Sequence, residues 1–225
     1  MIELSKRLSL IASFVNEGSS VCDVGTDHGY LSAFLSLSQK CKSVMATDIN
    51  QKPLQSAQAN LERLGCKNVK LVLCDGLSLV TRADADTVII AGMGGEVISG
   101  IIDRAQFLRD GSVTLILQPT TAAKQLRQFL AKKGFTVERE TAIEENGKIY
   151  SIMLVRFTGK EYELSQVQAL IGILKPENEA SVKYIEKQYR IASKCSNDLE
   201  NVLHKQDEYK YYLKISEELK NILGE

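Results

Sequence analysis

Five short apolar runs, each separated from the next by a stretch long enough for a helix, dictate most of what this chain can fold into. They occupy residues 21–24, 44–47, 69–73, 87–91 and 113–117. Runs this short, apolar throughout and bounded by glycine or aspartate, read as strands buried on both faces. The segments between them carry helical patterns. Residues 53–64 stop at Gly65 and residues 121–133 stop at Gly134, and glycine is the residue that tolerates a helix's left-handed exit. Repeated strand–helix–strand units imply a parallel, doubly wound sheet. Before them, Leu4, Leu8, Ile11 and Val15 recur at helical spacing and predict an amphipathic opening helix that ends near Gly18.

The end of the sheet reads differently. Residues 136–143 and 148–157 are two strand-like runs joined by Glu144-Glu145-Asn146-Gly147. Asn-Gly is the type I′ hairpin signal, because both central residues of that turn need positive φ. Five parallel strands followed by an antiparallel pair give seven strands with one reversed, unlike the all-parallel dinucleotide-binding sheet.

Beyond residue 158 the composition changes. Twelve of the 15 glycines precede Gly159, and only Gly172 and Gly224 follow it. We therefore expect two units, residues 1–158 and 159–225. In the second, Val182, Ile185, Tyr189 and Ala192 step at helical spacing. Asn197, with Glu200 three residues on, reads as a helix N-cap. A seam at 195, 199, 202, 206, 209, 213, 216, 220 and 223 is apolar at six of nine positions, enough for a coiled-coil-like helical hairpin.

Composition removes several function classes. In 225 residues, 28 basic and 28 acidic side chains cancel, so net charge does not point to nucleic acid or membrane. No apolar run reaches the ~18 residues of a membrane span, and the start lacks a signal peptide's apolar stretch. The five cysteines (22, 41, 66, 74 and 195) form no CxxC, and only His28 and His204 are present. Reduced core cysteines in a cytoplasmic protein are expected, with no metal site and no disulfide framework.

The chemistry gathers at four successive strand ends, where open α/β sheets bind ligands. The first is Asp23-Val24-Gly25-Thr26-Asp27-His28-Gly29, a strand running through a glycine turn into a helix. A pyrophosphate-binding turn would want G-x-G-x-x-G, and Asp27 would repel it, by about 4 kcal/mol for unit charges ~4 Å apart at an effective dielectric of ~20. A cationic sulfonium such as that of S-adenosylmethionine (SAM) would not be repelled. The second is Thr47-Asp48-Ile49, whose carboxylate can take ribose hydroxyls. The third is Cys74-Asp75-Gly76, with Asp75 placed for an adenine amino group. The fourth is Ala91-Gly92-Met93-Gly94-Gly95, whose glycines permit close backbone approach.

DVGTDHGYL (23–31), TDIN (47–50), CDGL (74–77), AGMGGE (91–96), LQPTT (117–121), ENGKIY (145–150) and the opening SKRL (5–8) together resemble the bacterial tRNA (adenine-22, N1)-methyltransferase family across essentially the whole chain. The resemblance implies a class I methyltransferase (Rossmann-like) fold, SAM as donor, tRNA as substrate and 1-methyladenosine as product. It implies a catalytic role for Asp27, which stands where most methyltransferases carry the middle glycine. The cofactor set it suggests is Arg7, Asp23, Gly25, Thr26, Asp48, Ile49, Asp75, Gly76, Ala91, Gly92 and Met93.

Each residue also has a plainer reading. Asp27 could be a helix N-cap. His28 suits proton exchange near neutral pH, or a hydrogen bond that shapes the pocket. Tyr150 could stack on an extruded base or sit in the core. Gln118-Pro119 could line the substrate mouth or form a turn. Arg7 could cover the cofactor or point to solvent. Lys124, Arg127, Lys132 and Lys133 cluster on one predicted helix, either an RNA contact or a solvated face. The C-terminal unit has ten basic and twelve acidic residues, so it is not a basic arm.

What is missing also discriminates. No [DNS]-P-P-[YFW] follows the fourth strand, no proline precedes cysteine, and no Walker A is present. A small-molecule methyltransferase, a SAM-binding interaction module and an NAD-dependent oxidoreductase remain as rival readings, the last disfavoured by Asp27 and the missing third glycine.

Overall fold

The computed structural model describes residues 2–224. Its centre is one sheet of seven strands: β1 (Ser20–Val24), β2 (Ser43–Asp48), β3 (Val69–Leu73), β4 (Thr87–Gly94), β5 (Thr114–Thr121), β6 (Phe135–Glu145) and β7 (Lys148–Phe157). The order across the sheet is β3-β2-β1-β4-β5-β7-β6, and β7 pairs antiparallel with both β5 and β6, so it is the one reversed strand. The chain leaves β1 toward β2 and β3, then crosses back to β4. The carboxyl ends of β1 and β4 thus form the switch point at which such sheets open a crevice.

Strand alternation explains the layers. Val21, Val44, Ile89, Ile116 and Ile152 face one side and pack with Ile11 of α1 (Lys6–Ser13) and with Leu31 and Leu35 of α2 (Tyr30–Leu37), while α3 (Gln51–Arg63) lies against β2 and β3. Cys22, Val88, Ile90, Leu115, Leu117 and Met153 face the other, under Ile98 and Ile102 of α4 (Gly95–Arg104) and Leu126 and Leu130 of α5 (Ala123–Lys132). Both sides of the central strands are therefore dry, and each such side chain contributes roughly 1.5–3 kcal/mol by leaving water. The β6–β7 turn is the predicted one: Asn146 has φ 51° and Gly147 φ 71°, both left-handed as type I′ demands.

Two strands run further than the apolar runs suggest. β4 continues through the glycine-rich segment to Gly94 by way of bulges at Ala91/Met93 and Met93/Gly94, and β5 continues through Pro119 to Thr121. Gly95 is obligatory where α4 starts, because a Cβ there would overlap the Ala122 carbonyl at the end of β5.

The helical part contains α6 (Gln166–Ile171), α7 (Glu179–Leu199) and α8 (Gln206–Leu223). They share a core of Val167, Ile171, Tyr184, Ile185, Ala192, Ile215 and Leu219, and that core also takes in Ala142 of β6. One sequence expectation fails here. Asn197 is not an N-cap: α7 runs through it to Leu199, and the chain turns at residues 200–205, including a 3-10 turn at Leu203–Lys205. The single seam drawn from 195 to 223 therefore straddles the bend of the hairpin. The residue that caps α7 is Asn178, whose side chain accepts from the Ser181 N–H at 2.8 Å.

The hairpin is tied to the sheet by a sealed ion pair. Arg127 of α5 meets Glu140 of β6 at 2.6 Å, with both side chains essentially inaccessible. Arg127 also donates to the Ala169 and Leu170 carbonyls of α6, the Ser151 hydroxyl of β7 and the Tyr184 hydroxyl of α7. Glu140 accepts in turn from the Ile173 N–H at 3.1 Å. Arg127 thus belongs to no solvated face, which breaks up the predicted basic cluster; Lys133 is likewise engaged, with Asp103 at 3.0 Å. Among the described residues no buried side-chain nitrogen or oxygen lacks a partner. No helix among them is long and apolar enough to cross a membrane, and no metal-holding group of His, Cys, Asp or Glu is found.

Candidate active site

A cleft of about 530 Å³ opens at the switch point. It is lined by Arg7 from α1, the 23–31 turn, Asp48 to Asn50 after β2, and Ala91 to Met93 of β4. Most residues singled out from sequence converge there: Arg7, Asp23, Gly25, Thr26, Asp27, His28, Asp48, Ile49, Ala91, Gly92 and Met93.

The turn after β1 is built from inside outward. Asp23 is buried, and its carboxylate accepts from the Thr26 and Ser32 hydroxyls, each at 2.8 Å. Burial pushes its pKa up, and the two hydroxyls pull back against that. The N–H groups of Gly25 and Thr26 hang from the Thr47 carbonyl at 2.8 and 3.1 Å, which fixes the turn to β2. Gly25 has φ 74°, and a Cβ on it would strike the Met93 methyl across the cleft.

Asp27 departs from backbone preference. It is left-handed, φ 50°, between left-handed Gly25 and Gly29. That is the conformation a glycine would adopt freely, and holding a side chain there costs of the order of 1–3 kcal/mol. The N-cap of α2 is Gly29, with no side-chain cap bond, so Asp27 does not serve as a helix cap. Its carboxylate is largely exposed in the cleft, 3.6 Å from His28 Nε2. The His28 ring in turn lies 5.9 Å from that of Tyr30, at the rim.

Asp48 ends β2 with one carboxylate oxygen accepting from the Asn50 N–H at 2.8 Å. Ile49 beside it is 63 % exposed, an apolar surface offered to the cleft. Asp75 and Gly76 are not brought to the cleft: Asp75 pairs with Arg104 at 3.2 Å, while the Gly76 carbonyl accepts from the Thr47 hydroxyl at 3.0 Å.

Arg7 closes one wall. Its backbone N–H donates to Glu145 Oε1 at 2.9 Å, its Nε approaches Oε2 at 3.4 Å, and its Nη1 donates to Gln118 Oε1. Gln118, fully buried, also accepts from the Gly92 N–H at 3.1 Å. The guanidinium lies 5.5 Å from the Tyr150 ring centroid. Burial of Glu145 pushes its pKa up, but the hydrogen bonds from Arg7 and Ser5 and the Arg7 charge outweigh it, so the net shift is downward. Sequence reading placed Glu145 only in the hairpin turn and the ENGKIY motif and gave it no part in the cleft, since nothing local links it to a residue 138 positions away. It also gave no role to Tyr30 and Asn50, which stand inside the quoted motifs, or to Pro53 just beyond them, and all three line the cleft.

Comparison with known proteins fits this geometry. A methyltransferase-domain family profile matches residues 4–153. A Bacillus subtilis protein named tRNA (adenine(22)-N(1))-methyltransferase is 30% identical over 174 residues, covering 77% of this chain and 73% of its own. The chain belongs to that family. The crystal structure of the B. subtilis M1A22 tRNA methyltransferase TrmK superposes with a TM-score of 0.82 at 26% identity, covering 99% of this chain and 100% of that one. A Streptococcus pneumoniae protein, Sp1610, in complex with S-adenosyl-L-methionine superposes with a TM-score of 0.78 at 31% identity, covering 98% of this chain and all of its own. Family membership agrees with the sequence reading, including the reversed strand and the helical pair α7–α8 at the carboxyl terminus.

Proposed function

We propose that this protein transfers a methyl group from SAM to N1 of an adenosine in tRNA, adenosine-22 by kinship with the B. subtilis relative. The observation that carries the reading is Asp27: an exposed carboxylate, held left-handed at a glycine position, in the mouth of a cleft whose other walls suit a nucleoside.

The cleft fits the cofactor. Asp48 has a carboxylate oxygen to spare for ribose hydroxyls, Ile49 offers an apolar face to a purine, and Gly92 leaves room beside the backbone. Arg7, directed along the same wall, would receive a carboxylate. SAM, when bound there, would supply an electrophilic methyl on a cationic sulfur, and neither the Asp27 nor the Asp48 carboxylate repels that positive charge.

Asp27 would act on the base. Adenine N1 has its own lone pair, so no covalent bond to the protein is needed: the N1–carbon bond forms as the carbon–sulfur bond breaks, and the positive charge passes from sulfur to the base. A carboxylate accepting a hydrogen bond from the exocyclic N6 stabilises that charge as it develops, and can afterwards take the N6 proton. His28, 3.6 Å from Asp27, would orient the carboxylate or relay the proton. The remaining contribution is placement of N1 in line with the methyl group. Residues 1–158 would hold the donor, and residues 159–225 would help to seat the tRNA.

The test is direct. The purified protein, an unmodified tRNA transcript and isotope-labelled SAM are incubated, and the digested nucleosides are analysed by mass spectrometry. Labelled 1-methyladenosine that vanishes when adenosine-22 is replaced by guanosine is expected. A protein that binds SAM but labels no adenosine in tRNA would refute the reading.

A further inference from the structure

The cofactor cleft presents a difficulty for an RNA substrate. Asp27 and Asp48 both face its mouth, and either carboxylate repels the phosphates that flank a target nucleotide. Those phosphates need a route with positive charge beside the cleft. One exists on the far side of the Arg7 wall.

A second depression, of about 260 Å³, lies between the end of β5, the start of α5, β7 and α7. Its lining includes no carboxylate. Lys124 of α5 and Lys187 of α7 stand on it, and neither makes an ion pair with any described carboxylate. By contrast Lys183, one helical turn from Lys187, is held by both Glu144 and Glu179 at 2.7 Å. The surroundings are amphipathic, with Tyr150, Tyr184, Ile149 and Leu170 among the lining and Gln125 and Gln188 beside the lysines.

The depression adjoins the cleft across the Arg7 wall. Tyr150 lines it and also stacks near the Arg7 guanidinium, which lines the cleft. Gln118 holds Arg7, and the next residue, Pro119, lines the depression. A strand of RNA with its target base at Asp27 would therefore pass Arg7 and Tyr150 and lie directly against Lys124 and Lys187.

We propose that this depression is a binding subsite for the nucleotide adjoining the methylated adenosine, with its phosphate between Lys124 and Lys187 and its base or sugar against Tyr150. The subsite rests on the tRNA reading above and adds to it a direction of travel for the RNA. It also gives the hairpin a contact in the substrate through α7, with no need for an overall basic arm. The Arg127–Glu140 pair sets its shape, because it fixes α5 and α7, which carry the two lysines, to the same strands.

The experiment compares the wild-type protein, K124E/K187E, K124R/K187R and K42E. Lys42 precedes β2, at the opposite end of the sheet, and serves as a control for charge reversal. Each protein is checked by thermal melt and by SAM titration, then assayed for tRNA binding by fluorescence anisotropy at several salt concentrations. Expected for K124E/K187E is unaltered SAM affinity, at least roughly tenfold weaker tRNA binding, and a salt slope shallower by about 0.7 per lost phosphate contact. K124R/K187R should bind as wild type, and K42E nearly so. Equal tRNA binding by K124E/K187E and K42E would overturn the subsite. A wild-type protein that binds SAM and methylates no tRNA would instead overturn the function on which it rests.

Discussion

Two regions of this protein hold ionised side chains near one another, and they hold them in opposite ways. At the junction of sheet and hairpin, Arg127 and Glu140 are sealed from solvent and every donor and acceptor around them is matched. In the cleft, Asp27 is exposed, its backbone is strained, and the His28 imidazole lies 3.6 Å away. Matched burial marks groups whose task is finished once the chain has folded. Exposure kept against a conformational cost marks groups whose partner comes from outside. Stability and turnover should therefore separate cleanly between the two regions.

The largest effect should fall at the junction. Replacing Arg127 by methionine removes the cation and leaves Glu140 buried without it, which costs about 3–5 kcal/mol. For a chain of this size that lowers the melting temperature by roughly 10 °C. The double variant R127M/E140M should recover part of the loss, because two apolar side chains leave no charge stranded. Thermal melts of the three variants check this. A single variant as stable as wild type would mean that the hairpin is anchored elsewhere, by the apolar core around Ile185 and Leu219.

The cleft should behave in the reverse sense. Asp27→Gly restores the residue type that φ 50° favours, so stability should stay within about 1 kcal/mol of wild type. Turnover should fall by roughly 100-fold or more, the usual share of a positioned acid–base group. Steady-state methylation of tRNA alongside a melt gives both numbers. Full activity in Asp27→Gly would remove the carboxylate from the chemistry and leave its strain without a purpose.

This contrast also explains what could be read from the sequence. The sheet was legible because strands dry on both faces must be apolar without interruption, and the Asn146-Gly147 turn because its backbone admits few other residues. Most of the cleft was legible for a related reason: its residues sit in contiguous motifs at strand ends, and the fold brings strand ends together. Pairings between distant residues were not. Arg127 looked like one member of a basic helix face, since Glu140 is local to nothing but the folded sheet. Asp75 looked like a ligand contact, and the fold places it outside the cleft lining, beside Arg104. The bend of the hairpin was placed a few residues early, at Asn197, because residues 200–205 contain neither glycine nor proline and the apolar spacing of α7 happens to continue in register into α8.

The smallest effect concerns the wall between the two regions, where Glu145 holds Arg7. This pair is intermediate: partly buried, charged, and lining the cleft. Its net pKa shift is downward, because the hydrogen bonds from Arg7 and Ser5 and the Arg7 charge together outweigh the effect of burial. A carboxyl group whose folded pKa is depressed contributes stability above its unfolded pKa, and that contribution disappears as pH falls through the folded value. Wild type should therefore exceed Glu145→Gln by about 1 kcal/mol near neutrality, and the gap should close as pH drops below the ordinary carboxylate range. Paired melts from pH 7 downward measure the gap. No gap at any pH would mean that Glu145 acts only as a hydrogen-bond acceptor for the Arg7 N–H, a role glutamine also fills, and that the cleft wall is fastened by shape and Gln118 rather than by charge.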